Sequence, residues 1–167
     1  MSWAMQDVPP VRCVAHGGRQ VRTGVEYGHI YDHFSVVYEY ANGARGYHYC
    51  RQQAGCANEN ADYFIGTKGV ASIKAFGPLE ISGENAWRFR GDRPDMYQVE
   101  HDEFFAAIRK GELVNDGDWM LHSTMLAILG RMATYTGQRI TWDDALNSKL
   151  DLTPASYEWG DVKLPPE

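Results

Sequence analysis

Polar side chains that could bind a small molecule are concentrated between residues 18 and 33. This stretch has no helical or strand period and contains Gly24 and Gly28, which favours a loop. Its guanidinium groups offer fixed forks of donors that suit carboxylates and hydroxyl-rich ligands. The candidate substrate-binding residues are Arg19, Gln20, Arg22, Tyr27, His29, Asp32 and His33. A solvated loop with an internal Arg–Asp pair explains the same residues, and the residues alone do not decide between the two hypotheses.

The other motifs favour structural roles. Asn115–Asp118 lacks the alternating ligands and the final Glu of a calcium loop, and is better suited to capping a helix. Glu100 and His101 are adjacent on a predicted helix and diverge by about 100°, so they do not converge on one substrate atom. His101 falls on the apolar stripe, which favours a core histidine. Gly66–Gly69 lacks the spacing of a phosphate-binding loop and is predicted to be a turn. We predict no catalytic and no cofactor-binding residue in this chain.

No metal site is predicted either. Cys13, Cys50 and Cys56 are an odd number, without a CxxC pair and without a second ligand pair at zinc-finger spacing. The histidines are scattered and do not form an HExxH motif. Reduced, partly buried thiols are the simplest expectation for the cysteines.

A long β-hairpin follows the polar loop. Apolar side chains recur at every second position of its first strand, which places them on one face: Phe34, Val36, Tyr38 and Tyr40. Asn42-Gly43 predicts a tight two-residue turn in which both residues have positive φ. The two strands are expected to span residues 32–41 and 44–53.

The rest of the chain changes from strands to helices. A strand is predicted at 11–16, and shorter strands at 62–65, 70–76, 79–82 and 86–90. Helical periodicity then begins at Asp95 and ends near Gly111, and a second helix spans 116–136. The second helix has an apolar stripe wider than half its circumference, so it is expected to be largely buried. A capping box at Thr141–Asp144 predicts a short third helix that ends near residue 147. The tail with Pro154, Pro165 and Pro166 is predicted to be irregular.

This order of elements predicts an α+β fold, in which an open, mainly antiparallel β-sheet carries helices on one face. The 167 residues fit one domain that can bury a core. A net charge of −6 argues against nucleic acid as a partner. No apolar run approaches the ~20 residues that span a bilayer, so no membrane segment is predicted.

An ordered series of short motifs covers nearly the whole chain. They are Gly17-Gly-Arg-Gln-Val-Arg22, Tyr27-Gly-His-Ile-Tyr-Asp-His33, Cys50-Arg-Gln52 with Cys56, Gly66-Thr-Lys-Gly69, Glu100-His101, Ser123-Thr-Met125, Gly130-Arg-Met-Ala-Thr-Tyr-Thr-Gly137 and Thr141-Trp-Asp143. The series resembles the C-terminal domain of Gfo/Idh/MocA-type NAD(P)-dependent oxidoreductases, and within that family the bacterial subgroup of predicted sugar dehydrogenases.

The resemblance implies a substrate-pocket and oligomerisation domain of a sugar or polyol oxidoreductase. In that family an N-terminal Rossmann domain binds NAD or NADP and carries a catalytic lysine in a Glu-Lys-Pro motif. The family's usual catalytic Asp and His lie on a helix before the first strand, and Ser2-Trp-Ala-Met5 resembles the last turn of that helix. None of the catalytic positions is matched here. Residues 1–167 are therefore expected to be a single, truncated C-terminal domain. Its expected partner is the missing N-terminal Rossmann domain, without which it is inactive.

Two hypotheses about function remain open at this point. The chain is either this domain of a longer oxidoreductase or a free-standing module that binds a small molecule or a protein. The gene sequence upstream of Met1 would separate them. An export signal of a longer parent would also lie upstream, so the compartment stays open, with the cytoplasm as the default.

The predicted sheet has one face that helices do not cover. Both helices after residue 95 follow the strands and have one dominant apolar face each, so they cover one side. The other face of the hairpin still carries Val37, and the second strand adds Tyr47 and Tyr49. Exposed apolar and aromatic groups of this kind are typical of association sites. We therefore predict a homo-oligomer that forms through the sheet face.

Overall fold

The computed structural model describes residues 1–154 and 156–160 of the chain, which form two compact units. The first unit contains Met1–Ala54 together with the described residues from Asn115 onward, and the second contains Gly55–Val114. The predicted tail includes Pro165 and Pro166, which lie outside the described residues. A single domain over residues 1–167 stays a prediction.

The described residues form eight strands and three α-helices. The strands are β1 (Arg12–Gly18), β2 (His33–Glu39), β3 (Arg45–Arg51), β4 (Ala61–Ile65), β5 (Gly69–Lys74), β6 (Leu79–Gly83), β7 (Trp87–Arg88) and β8 (Ile140–Thr141). The helices are α1 (Met96–Lys110), α2 (Gly117–Thr136) and α3 (Trp142–Leu146). The α+β class and the antiparallel pairing are confirmed. The expected single sheet is instead two four-stranded sheets, ordered β3-β2-β1-β8 and β4-β5-β6-β7. The periodicity of each strand does not encode which strand pairs with which, and so could not reveal this division.

Helices α2 and α3 pack on one face of the first sheet. Strand pairing places Cys13 beside Tyr38, and these residues and Val36 face the helices. Leu129 and Ala133 of α2 are fully buried against them. Burial of such side chains is the main source of stability in a small core, at roughly 25 cal/mol per Å² of apolar surface.

Helix α2 approaches the sheet closely at Gly130. A Cβ atom on Gly130 would lie 2.5 Å from the Tyr38 hydroxyl and 3.4 Å from a Val36 methyl group. The same Tyr38 hydroxyl donates a hydrogen bond to the Leu126 carbonyl, at 2.8 Å. Burial raises the pKa of Tyr38, so its hydroxyl stays protonated and can serve as this donor. Residue 130 therefore has to lack a side chain for the helix to reach the sheet.

The turn between β2 and β3 differs from the predicted one. The strands pair from Glu39 with Arg45, and the connection is closed by hydrogen bonds from the Gly43 amide to the Tyr40 carbonyl and from the Tyr40 amide to the Ala44 carbonyl. Within the turn only Gly43 has a positive φ, of 84°. This is the three-residue hairpin with a terminal left-handed glycine rather than the two-residue turn. Asn42 instead accepts the Ala44 amide on its side-chain oxygen at 3.0 Å, which favours the longer turn.

The second unit contains the other sheet and α1. Strands β4 to β7 pair in sequence order, and the guanidinium of Arg93 holds the turn after β5 through the carbonyls of Lys74, Ala75 and Gly77. Asp95 caps α1 by accepting the Tyr97 amide at 2.8 Å, and the helix ends at Gly111 as predicted.

Two expectations about helix burial are wrong. In α1 only Ala107 is buried, and the predicted core residue His101 is exposed, with Nδ1 2.7 Å from the Tyr97 carbonyl of its own helix. In α2 the buried residues lie between Leu129 and Thr134, whereas its first turns are exposed, including Trp119 at 42%. A wide apolar stripe indicates a surface suited to burial, but the described chain supplies no cover for it.

Helix capping follows the sequence more closely. The capping box of Thr141 and Asp144 is confirmed at the start of α3. At the start of α2, Asp116 makes no side-chain cap, and Asn115 accepts the Gly117 amide at 3.1 Å instead.

Candidate functional site

The loop between β1 and β2 is closed by the carboxylate of Asp32. This residue is 1% exposed, and its Oδ2 atom accepts hydrogen bonds from the backbone amides of Gln20, Val21 and Arg22 at 2.7, 2.8 and 3.0 Å. Three successive amides that converge on one oxygen form a backbone concavity suited to an anion. The end of the loop therefore holds its beginning in place.

The charge of Asp32 is maintained by these contacts. Burial alone would raise the pKa of the carboxyl group, but the three amides and His33 hold that pKa well below its usual range. Asp32 is therefore an anion at neutral pH. The Gln53 amide nitrogen adds hydrogen bonds to Asp32 Oδ1 at 3.3 Å and to the Gln20 side chain at 3.2 Å, which joins the loop to the residues after β3.

His33 is oriented by the same carboxylate. Its Nδ1 lies 2.8 Å from Asp32 Oδ1, and its side chain is 37% exposed. Because the carboxylate can only accept, the Nδ1 atom is the donor to it, and when the ring carries one proton its Nε2 atom presents a lone pair. Gly18 lies opposite His33 in the strand pairing, and a Cβ there would come within 3.5 Å of the ring. Glycine at this position leaves that side of the imidazole uncovered.

The predicted arginines do not pair with Asp32. Arg19 donates from Nε to the Arg22 carbonyl at 2.8 Å and from Nη2 to the Thr23 carbonyl at 3.0 Å. In residues 1–154 and 156–160, neither Arg19 nor Arg22 forms an ion pair with the carboxylate. The internal Arg–Asp pair of the solvated-loop hypothesis is therefore wrong, because backbone amides already occupy the carboxylate.

The end of the loop is fixed to α2 by aromatic contacts. The rings of Tyr31 and Tyr135 stack with centroids 4.0 Å apart, and the Tyr31 amide donates to the Tyr135 hydroxyl at 2.9 Å. His29 meets the Tyr135 ring edge-on at 5.1 Å, and Phe34 lies 6.2 Å from the same ring. Such packing gives the loop a defined position relative to the helix.

The structure thus separates the seven predicted residues into smaller groups. Gln20, Asp32 and His33 meet in one hydrogen-bonded cluster. Arg22 donates its backbone amide to this cluster, and Arg19 donates to the loop backbone, including the Arg22 carbonyl. His29 joins the aromatic cluster on α2, and Tyr27 is 47% exposed on a short 3-10 turn. Whether these side chains contact a substrate stays a prediction.

Sequence reasoning missed three residues of this site: Tyr31, Gln53 and Tyr135. Tyr31 and Tyr135 were inside quoted motifs, but only the fold brings them together. Gln53 was the last residue of the predicted hairpin, and its amide reaches Asp32 across the strand pair.

Other candidate motifs have simple structural roles. Gly66–Gly69 is a turn closed by the Gly66 amide and the Gly69 carbonyl, at 2.9 Å. Among the described residues the three cysteines form no disulfide, and burial raises the pKa of Cys13 to about 12. Among the described residues, no group of three or more His, Cys, Asp or Glu side chains could hold a metal ion. Within the same residues no helix is long and apolar enough to cross a membrane.

Comparison with known proteins gives a result for the fold alone. No protein-family model matches the sequence, and no curated protein matches it at a significant level. Solved structures do match. An aldose–aldose oxidoreductase of Caulobacter crescentus, crystallised with glycerol, is 17% identical with a TM-score of 0.64. A Thermotoga maritima protein and a Klebsiella pneumoniae protein, both described as oxidoreductases, are 16% and 13% identical with TM-scores of 0.57 and 0.56.

The extent of these matches is also informative. The match to the Caulobacter protein covers 80% of this chain and 41% of that protein. The corresponding shares are 79% and 40% for the Thermotoga protein, and 87% and 48% for the Klebsiella protein. The chain therefore spans less than half the length of these oxidoreductases. The resemblance to one domain of an oxidoreductase is confirmed at the level of the fold.

Proposed function

We propose that this chain is the substrate-pocket and assembly domain of a sugar or polyol oxidoreductase. In this proposal NAD or NADP is bound by a Rossmann domain outside the present sequence, and the chain is inactive alone. The observation that carries it is the shared fold with parts of three oxidoreductases, of which the chain spans less than half. Hydride transfer requires a cofactor held against the substrate, and the two tasks are divided between domains here.

The loop that Asp32 closes is the proposed substrate-binding element. His33 would accept a hydrogen bond from a sugar hydroxyl on Nε2, since Asp32 holds the proton on Nδ1. Gln20 and His29 would contribute further hydrogen bonds, and Tyr27 would offer an exposed ring and hydroxyl. Arg19 and Arg22 would add positive charge beside the substrate. A loop braced at both ends loses less conformational entropy when a ligand binds, which favours this role.

The assembly role is assigned to the sheet face that α2 and α3 leave open. Strand pairing places Val14, Val37 and Tyr47 in one row across this face. The next row consists of His16, Ser35 and Tyr49. Tyr47 and Tyr49 are 55% and 69% exposed. We propose a homodimer formed through these rows, because self-complementary faces give closed two-fold assemblies.

A free-standing binding or interaction module is the alternative. The observation that favours it is the loop itself, because the hydrogen bonds that Asp32 accepts come from residues of the first unit. Such a module would bind a small polyol, or a partner protein, without any redox step.

Two measurements separate these functions. First, the gene is read upstream of Met1, where an in-frame Rossmann segment with a Glu-Lys-Pro motif supports the oxidoreductase. Second, residues 1–167 and the protein that includes the upstream segment are titrated with NAD and NADP by calorimetry. We expect saturable binding only for the longer protein, which should also reduce the cofactor with an aldose or polyol. Micromolar cofactor binding by residues 1–167 alone, or a stop codon directly upstream, would refute the proposed function.

A further inference from the structure

The guanidinium group of Arg131 is held in place on the aromatic cluster beside the loop. Its central carbon lies 4.2 Å from the centroid of the Tyr135 ring, at a distance typical of a cation–π contact. Tyr31 stacks on the same ring at 4.0 Å, so it and the guanidinium occupy opposite faces. Arg131 is only partly exposed. Its position is therefore set by a ring that is itself fixed by Tyr31.

The hydrogen-bonding edge of Arg131 is not used by any of the residues that the structure describes. Arg12 pairs with Glu39 at 2.8 Å, and Arg19 and Arg93 donate to backbone carbonyls. In the part of the chain that the structure describes, Arg131 has no such acceptor and contacts the Tyr135 ring instead. Stacking uses the face of the guanidinium and leaves the N–H groups in its plane available to a ligand.

The surrounding groups indicate what kind of ligand this edge fits. The His29 and Tyr135 rings form a T-shaped pair with centroids 5.1 Å apart, so an imidazole and a guanidinium both contact one phenol ring. A planar guanidinium matches a carboxylate through two parallel hydrogen bonds. The single guanidinium on the Tyr135 ring balances the single charge of a carboxylate. A phosphate monoester carries nearly two charges and would need Arg19 or Arg22 as a further cation, which the titration with a sugar phosphate below tests.

We propose that Arg131 binds the carboxylate of a small polyhydroxy acid, such as an aldonic or uronic acid, beside the loop that Asp32 closes. This inference rests on the proposed function for the hydroxyl-binding part of the ligand. It adds a residue on α2 that was not among the predicted site residues, and it narrows the substrate class from sugars and polyols to their acids.

The test uses a matched pair of ligands with residues 1–167. D-Gluconate and D-glucitol share a carbon chain and hydroxyl pattern, and they differ in one carboxylate. Calorimetric titration at low ionic strength should give a Kd for gluconate at least about tenfold lower than for glucitol, the scale of one charge-assisted contact. The Arg131→Gln variant should lose this preference. Arg131→Lys should retain only part of it, because an ammonium cannot form the planar fork.

The control is Arg109→Gln. Arg109 also lies over an aromatic ring, with its central carbon 6.0 Å from the Phe105 centroid, but it belongs to α1 in the second unit. This variant should keep the preference for gluconate. Circular dichroism melts of each variant check that the fold is retained. D-Glucose 6-phosphate is titrated as a further ligand. If it binds more tightly than gluconate and loses this affinity in Arg131→Gln, the site binds a phosphate and the proposed carboxylate ligand is wrong.

Three results would overturn the carboxylate site: equal affinity for gluconate and glucitol, an unchanged preference in Arg131→Gln, or no gluconate binding at millimolar concentration. These results are independent of the redox assay on the longer protein. Cofactor reduction without an Arg131 effect would leave the proposed function and remove this site. Gluconate binding through Arg131 without any redox activity of the longer protein would support this site and refute the proposed function.

Discussion

The ring of Tyr31 lies flat on the ring of Tyr135, with an interplanar angle of 12° and centroids 4.0 Å apart. The Tyr31 amide also donates to the Tyr135 hydroxyl at 2.9 Å, so one phenol serves as a stacking surface and as a hydrogen-bond acceptor. Through this pair the long helix α2 fixes the end of the loop that Asp32 closes. The loop is consequently held at two places, by a carboxylate at one and by a phenol at the other.

Replacing Tyr135 with Phe should remove the acceptor and keep the stacked ring. The hydroxyl also donates to the His29 carbonyl at 3.4 Å, so two hydrogen bonds are lost. We expect a loss of about 1–3 kcal/mol in the free energy of unfolding, at about 0.5–1.5 kcal/mol for each bond. Urea denaturation followed by circular dichroism measures it. Tyr157→Phe is the control, because Tyr157 is 81% exposed and lies outside both the loop and the proposed dimer face. Equal effects of the two variants would contradict the role given to Tyr135.

Asp32→Asn should loosen the loop and change the response of stability to acid. Because the carboxyl pKa is lowered in the folded chain, its contribution is complete above the ordinary Asp pKa of about 3.9 and is lost as the pH falls towards the folded pKa. The variant should therefore melt at a lower temperature than the parent at neutral pH, and the difference should shrink in acid.

The control for this change is Asp116→Asn, since the Asp116 side chain makes no capping hydrogen bond at the start of α2. Melting temperatures from about pH 7 down to about pH 2, with hydrogen exchange of the Gln20, Val21 and Arg22 amides, complete the measurement. If the difference in melting temperature between the parent and Asp32→Asn were constant over this pH range, the charge of Asp32 would not be the cause of the stabilisation.

Gly130→Ala should destabilise the first unit by about 1–3 kcal/mol, the usual cost of overpacking. The added Cβ would lie 2.5 Å from the Tyr38 hydroxyl, so the helix or the ring has to shift. In the double variant Gly130→Ala/Tyr38→Phe the obstructing oxygen is absent. The losses of unfolding free energy in the two single variants should therefore add up to more than the loss in the double variant, as expected for residues in contact. Additive effects would mean that the helix accommodates the methyl group elsewhere.

The open sheet face should mediate self-association. Light scattering coupled to gel filtration at micromolar concentration is expected to give about twice the 18.9 kDa of one chain. Tyr47→Glu should shift the protein to the monomer, because it introduces a charge into the central row of the face. The matched control is Tyr63→Glu on the second sheet, where the parent residue is 46% exposed. A parent protein that elutes as a monomer would refute the proposed dimer.

His33→Gln should impair turnover in the longer protein that carries the cofactor domain. If Nε2 of His33 accepts a hydrogen bond from a sugar hydroxyl, we expect kcat/KM to fall by about tenfold or more. His48→Gln on the neighbouring strand β3 is the control, since His48 is exposed and lies outside the Asp32 cluster. Unchanged kinetics with unchanged stability would mean that the Asp32–His33 pair braces the loop only.

Local features of the chain could be predicted because they depend on neighbours in sequence. The alternation from Phe34 to Tyr40 places strand β2, and the capping box at Thr141 marks the start of α3. The same reasoning failed at the β2–β3 turn, where the pair Asn42-Gly43 permits two turn types. Only the backbone hydrogen bonds of the folded hairpin select between them.

The sequence by itself determined the α+β class, the bounds of most elements to within a few residues, and the concentration of polar groups between residues 18 and 33. Tertiary structure decided how those polar groups are used. Asp32 binds three amides rather than a guanidinium, because folding buries its carboxylate where backbone donors converge. Tyr31 contacts Tyr135, which is 104 positions away in the sequence, and Arg131 packs on the ring of Tyr135. Such contacts depend on how a helix packs against a sheet, which no local period or motif encodes.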